Sequence, residues 1–500
     1  MKKLFWLFPV LFLIDNVLGV NGYQFTFFGI GIRILLFALS MASLGLHCLV
    51  TIRRQRITLW KRQADRPFFW DFIKPLDWCV LAFILWNLFW AVVVPRIKPG
   101  NPADGLNEFD PMLTLLLHFP CAFLLRTKEV KLRSIVKWFV PLATLLAVWH
   151  SVMYLGETAS AGFYMGYYDF IDKISFGTAV RTEVIIGVGI TRIIQVTSVL
   201  MIPGMLLLWA YATEKKRIWP YFALAPMLFG VLVTYTKSIW FGILAGLIVA
   251  VLGVAVCAKD PAAKKRAGAF MLAVTAMFFL FNNGMLNNTI ITRTLNITTP
   301  AQIDKINSQI ADIQAQMDKL QAEATKPTDP DATEPTEPED LPDLDALAQQ
   351  LEVLENQRED AANTALSQAL REEQDAALLG KWGESRWIGF GYGAYVEDCI
   401  RNTQFPFMYE SLIPALLMKI GLVGLFGWGA FVAAMVYFAV KTMWKKSLKF
   451  WCWIGIGLAY GMAVQTNPFL FTFPGLSIML MLTLSIAAEE RYESDPAVHL

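Results

Sequence analysis

The chain has 500 residues, 56% hydrophobic and 17% charged, with mean hydropathy +0.47 and a formal net charge of +2. A soluble chain carries about 25% charged residues, so this composition belongs in a membrane, and so small a net charge excludes a broad basic surface for nucleic acid. Cys48, Cys79, Cys121, Cys257 and Cys452 lie in or beside apolar runs as small hydrophobes, and Cys399 stands alone in a polar segment, which argues against a disulfide framework.

The first residues, MKKLFWLFPVLFLIDNVLGV, begin like a signal peptide. The apolar run is long and no clean small-x-small site follows, so it reads as a retained helix. Runs of about 20 apolar residues predict twelve spans, near 4–22, 26–51, 76–95, 111–126, 134–155, 193–213, 218–235, 238–258, 267–283, 411–440, 451–467 and 471–488. Basic clusters follow every second span. Arg53, Arg54, Arg56, Lys61, Arg62 and Arg66 follow the second, and Arg126, Lys128, Lys131 and Arg133 the fourth. Lys215, Lys216 and Arg217 follow the sixth, Lys259, Lys264, Lys265 and Arg266 the eighth, and Lys441, Lys445, Lys446 and Lys449 the tenth. Positive charge marks the cytoplasmic side, so both termini are predicted inside and loops 96–110, 156–192 and 284–410 outside. The expected fold is an all-α polytopic membrane protein of about twelve helices. Residues 1–283 hold nine of them, 284–410 form an external loop, and 411–500 hold the last three and a cytoplasmic tail.

The long loop contains a device of its own. Ile303, Ile306, Ile310, Ile313, Met317 and Leu320 alternate at three and four residues, as do Leu344, Leu347, Leu351 and Leu354, with Ala361 one heptad further on. Two heptad seams predict an antiparallel helical hairpin over about 300–375. Thr299 suits the N-cap of its first helix, Pro300 the first helical position and Gln302 the return of a capping box. The intervening KPTDPDATEPTEPEDLP is too acidic and proline-rich to fold alone. The hairpin reads either as a spacer or as a dock for a partner. In GFYMGYYDFID, residues Phe163, Tyr164, Tyr167, Tyr168 and Phe170 suit either stacking on sugar rings or an interfacial aromatic belt.

After the hairpin comes GFGYGAYVEDCIRNTQFPFMYESLIPALLMKIGLVG, from Gly389 to Gly424. WIGFGYGAYVE followed by ESLIPALLMKIGLVGLFGW resembles the O-antigen ligase and polymerase superfamily. There a P-x-x-G-x-G-x-G-x-F-like loop precedes a segment of the form H-N-x-x-L-x-x-L-x-E-x-G-x-x-G that enters the membrane. Aligned on Gly421, Glu410 falls where the ligase branch has its histidine and Ser411 where it has asparagine. TYTKSIWFGILAG at 234–246 resembles the family's T-x-S-R start of a span, with Lys237 near the usual arginine. The resemblance covers the second half of the chain. The histidines, His47, His118, His150 and His499, all lie outside the long external loop, which favours the polymerase branch.

The resemblance implies a substrate: a glycan on undecaprenyl diphosphate at the outer face of the bacterial cytoplasmic membrane. One chain's reducing-end sugar joins a hydroxyl on another lipid-linked repeat, and the lipid diphosphate leaves. Such chemistry needs cations for the diphosphate and a base for the acceptor hydroxyl. Glu410 is the expected base, with Glu397 in reserve. Arg181, Arg192, Lys237, Arg386 and Arg401 are the expected diphosphate ligands, or else interfacial anchors and lone surface charges. Gly389, Gly391 and Gly393 permit close backbone approach to substrate, or form an ordinary turn. No metal-ligand spacing or nucleotide-binding loop is present, so no cofactor is expected. A chain-length regulator or another glycan-assembly protein is the partner expected at the hairpin. Transfer to a different acceptor, as in a ligase, and a lipid-linked glycan flippase remain alternatives.

Overall fold

The computed structural model describes all residues except 1–3, 20–25, 28–29, 64–65, 99, 161, 164, 168, 170–184, 188–189, 194, 287–289, 292–299, 325–343, 401–404 and 491–500. Among the described residues the regular elements are helices and two short antiparallel ladders, Thr26–Phe27 with Ile30–Gly31 and Ile185–Gly187 with Ile190–Arg192. Among the described residues, nine helices are long and apolar enough to cross a membrane. In chain order with their neighbours, the apolar helices are α1 Leu4–Leu18, α2 Ile32–Arg54, α3 Pro75–Ile97, α4 Pro102–Arg126, α5 Leu132–Ala159, α6 Val196–Glu214, α7 Trp219–Leu232, α8 Lys237–Cys257 and α9 Pro261–Gly284. After α10 (Pro300–Ala324) and α11 (Leu344–Glu384) come α12 Leu412–Met443, α13 Ser447–Val464 and α14 Phe473–Ala487. The shorter apolar helices α1, α7 and α14 complete the set of twelve runs expected from hydropathy. One boundary moves appreciably: the loop expected at 96–110 is helical from Pro102, because the Asn101 side chain caps the Ala103 amide (3.0 Å) and proline takes the first helical position.

Loops that are basic in the sequence gather at one end. Gln55 reaches the Thr127 carbonyl, Arg126 reaches the Phe72 carbonyl (2.8 Å) and Glu490, and Lys446 and Lys449 both bind Glu489. Inside this end, Asp77 is held by both Arg126 and His118, and His118 also meets Thr483. Asp77 accepts the Lys74 amide at the start of α3 as well, so one carboxylate ties α3 to α4 and, through His118, to α14.

α8 and α13 pack backbone to backbone. A side chain at Gly242 would meet the Ala459 carbonyl, one at Gly246 the Gly455 carbonyl, and one at Gly455 the Gly246 carbonyl. The small residues four apart on both helices let them approach closely in an antiparallel sense, the usual way apolar helices associate without a hydrophobic driving force.

In α10, Ile303, Ile306, Ile310, Ile313, Met317 and Leu320 are the less exposed positions between exposed ones. On α11, Leu347, Leu351, Leu354 and Ala361 are likewise the shielded side, and Ile310 and Leu347 are buried. The heptad seams are therefore the contact faces. Thr299 lies outside the described residues. α11 does not stop near 375 but runs 41 residues to Glu384, roughly 60 Å at 1.5 Å per residue. Its foot is seated on the start of α12, where Leu378 packs with Phe390, Tyr409, Ala415 and Met418.

Candidate functional site

α12 begins after Ser411 and breaks at Gly421, whose φ of 61° and ψ of −170° are open essentially only to glycine. A break inside an apolar helix frees backbone groups that must be satisfied locally. The strap 386–391, which follows α11 directly, satisfies them. Leu422 N–H donates to the Arg386 carbonyl (3.0 Å) and Val423 N–H to that of Trp387 (3.0 Å). Phe390 N–H donates to the Met418 carbonyl (3.0 Å) and Gly391 N–H to that of Lys419 (2.7 Å).

This accounts for the glycines. Gly389, Gly391 and Gly393 have φ of 68°, 92° and 79°. A Cβ would strike the Lys419 carbonyl at Gly389 (2.5 Å), the Pro95 ring at Gly391 (2.6 Å), and the backbone of Asp104 and Gly105 at Gly393. All three thus lie close against other parts of the chain, and all three are buried.

Below the strap lies a buried charge pair. Lys419, one residue before the last of the first half of α12, binds Glu108 of α4 and the Phe407 carbonyl (2.6 Å). The other Glu108 oxygen accepts the Gly393 amide (2.7 Å). The ammonium also faces the rings of Tyr409 (5.4 Å), Phe407 (5.8 Å) and Phe471 (5.8 Å). Asn87 of α3 forms a second node, accepting from the Tyr392 hydroxyl and from Trp428 Nε1 (2.9 Å). Burial pushes the Tyr392 and Tyr409 phenols well above their ordinary range, so both stay neutral hydroxyls; Tyr409 accepts the Val396 amide (2.7 Å).

Around this centre runs a polar rim at the end opposite the basic loops. Glu410 is paired with Arg371 of α11 (2.6 Å), both partly exposed. The N-cap position of α12 is Ser411, whose side chain makes no cap bond. Leu412 N–H donates to the Gln465 carbonyl (3.1 Å), and two residues on, Asn467 Nδ2 donates to the Ser238 hydroxyl (2.8 Å). Glu410 and Lys237 thus flank one turn, 465–467, whose Gln465 and Thr466 are exposed. The turn before α8 carries Tyr235 at a φ of 46° and accepts the Ile193 amide on the Val233 carbonyl (3.1 Å). That bond brings the backbone beside Arg192 to the same rim. Behind it, Ser198 accepts the Gln195 amide (3.0 Å) and lies 2.9 Å from His150 Nε2, all three buried.

Of the expected site residues, Glu410, Lys237 and the backbone at Arg192 therefore meet on one rim. Arg386 is exposed at the start of the strap, over the Trp382 ring (6.0 Å), and Glu397 is exposed in the turn Glu397–Cys399. Arg181 and Arg401, with Tyr164, Tyr168 and Phe170, lie outside the described residues. Sequence reasoning missed Arg371, Asn467, Asn87 and the Lys419–Glu108 pair. An ionisable residue inside an apolar run is itself a signal, and Lys419 carried it. No protein-family model matches the chain, and no curated protein matches it.

Proposed function

We propose that this chain is a bacterial membrane glycosyltransferase: a polymerase that joins undecaprenyl-diphosphate-linked oligosaccharides into a surface or exported polysaccharide. In this reading all twelve apolar helices span the cytoplasmic membrane. The basic end faces the cytoplasm with both termini, following the positive-inside rule, and the strap and rim face outward. The observation that carries the reading is the rim itself. A carboxylate, Glu410, and a cation, Lys237, from helices far apart in sequence flank the exposed turn 465–467 at a span mouth. The bond to be made lies at the level of the lipid headgroup, so base and cation belong where spans leave the apolar layer. Glu410 takes the proton of the acceptor hydroxyl, and Lys237 with Arg192 meets the departing diphosphate. The hairpin of α10 and α11, whose foot holds Arg371 against Glu410, is the place for a chain-length regulator. The test is the ladder of lipid-linked products in cells with and without the protein. Collapse to single repeats on the outer face supports a polymerase. Long chains left on the carrier point to a ligase, and repeats retained inside point to a flippase.

A further inference from the structure

The last part of α11 is bonded unevenly to what lies beneath it. Arg371 and Leu378 stand three residues before and four after Gln374, the spacing that puts all three on one helix face. Arg371 reaches Glu410, and Leu378 packs with Tyr409, Ala415 and Met418, so Gln374 between them faces the start of α12. Its side chain is 2% exposed, yet neither amide atom has a hydrogen-bond partner among the described residues. One buried carboxylate oxygen of the neighbouring Asp375 has none either. Burying such groups unpaired opposes the seating of this face. The Arg371–Glu410 pair, with side chains 45% and 33% exposed, adds little in water. The seat rests chiefly on the buried Leu378.

A few residues further on the bonding is dense. Trp382 Nε1 donates to the Arg386 carbonyl (2.9 Å), the Ser385 hydroxyl to the Gly389 carbonyl (3.0 Å) and the Gly389 amide to the Ser385 carbonyl (2.8 Å). Those bonds hold the end of α11 to the strap, and the strap is hydrogen-bonded to α12. Gly380 and Gly383 stand where the poorly bonded face meets this fixed end, inside the helix and with open space around their Cβ positions. No close neighbour requires glycine there. Glycine leaves a helix looser than alanine does, and paired small residues are a usual place for a helix to bend.

We infer that the foot of α11 is a lever: the helix swings off α12 about Gly380 and Gly383 and takes Arg371 from Glu410, while the strap stays bound. In the seated state the guanidinium occupies Glu410 Oε2 and the foot packs over Ala415. Lifting releases the carboxylate from the guanidinium and lets the Gln374 amide reach water. That the released Glu410 then takes the proton of an acceptor hydroxyl rests on the function proposed above; the lever does not.

The full chain carrying Ala415→Cys, in phosphatidylcholine nanodiscs, would be treated with a charged maleimide and the labelling rate of that peptide read by mass spectrometry. Slow labelling that runs to completion is expected. Gln374→Leu replaces the unpaired amide by an apolar group of similar size and should slow labelling about tenfold or more. Gly380→Ala/Gly383→Ala, at exposed positions, should slow it without risk to folding. No labelling at Ala415→Cys, or labelling as fast in Gln374→Leu or in the glycine variant, would overturn the lever. Slower labelling accompanied by shorter polymer supports the lever and its action on Glu410. Slower labelling with unchanged polymer keeps the lever and removes its link to Glu410. No polymer from the wild type, with the labelling differences intact, removes the proposed function and leaves the lever.

Discussion

Replacing Gly421 with alanine tests the strap and the helix break together. The backbone there sits at φ 61° and ψ −170°, where a side chain costs about 1–3 kcal/mol in strain alone. The new Cβ would also press on the Trp387 carbonyl and the Ile388 amide. The strap must lift, which threatens the bonds from Leu422 to Arg386 and from Val423 to Trp387. Two hydrogen bonds at about 1 kcal/mol each, added to the strain, give a loss of about 3–5 kcal/mol. Gly429 lies in the same helix with open space around its Cβ position, so Gly429→Ala should be neutral or stabilising by up to about 1 kcal/mol. Thermal unfolding of both variants in detergent, with proteolysis at the foot of α11 as a local readout, gives the comparison. If Gly421→Ala unfolds with Gly429→Ala and its strap is no easier to cleave, the account of the break is wrong.

Other predictions follow from the same geometry. Lys419→Met or Glu108→Gln leaves one buried group of the pair uncompensated and should cost about 3–5 kcal/mol, while the double variant should cost clearly less than the sum; additive losses in thermal unfolding would show that the two do not act as a pair. Gly246→Leu would set a Cβ 2.5 Å from the Gly455 carbonyl, so it should force α8 away and abolish the disulfide that Ser238→Cys and Asn467→Cys otherwise form; an unchanged cross-link would refute the close seam. Burial raises the Glu489 carboxyl, but hydrogen bonds from Lys446 and Lys449 more than offset it and hold it below its ordinary 4.5. Its stabilisation of the α12–α14 end is therefore full above 4.5 and lost as pH falls through the lower folded value. Hydrogen exchange near Lys446 and Glu489 should rise across that acid range in the wild type and not in Glu489→Gln.

What could be read in the sequence divides along physical lines. Apolar length and heptad period are local properties, so the twelve runs and the shielded faces of α10 and α11 were legible residue by residue. The glycines at 389, 391 and 393 read as a close approach to substrate or an ordinary turn; the neighbours they meet in the fold, Pro95, Gly105 and Lys419, are set by tertiary packing. The same holds for Lys419 and Glu108, which stand 311 positions apart. The Gly242, Gly246, Gly455 and Ala459 seam passed as ordinary membrane sequence, since small residues four apart are informative only once the two helices face each other. Nothing local marks Arg371 within its long polar helix. Its pairing with Glu410 exists because α11 runs past the expected hairpin and ends on α12.

The central claim, that this chain joins lipid-linked glycans at its outer rim, is tested most directly by purified protein in proteoliposomes supplied with lipid-linked repeat units. The account predicts a ladder of lengthening products from the wild type and a rate lower by about 100-fold or more in Glu410→Gln, the usual cost of losing a general base, with folding and carrier binding retained. No product from the folded wild type, or a wild-type ladder from Glu410→Gln, would contradict it.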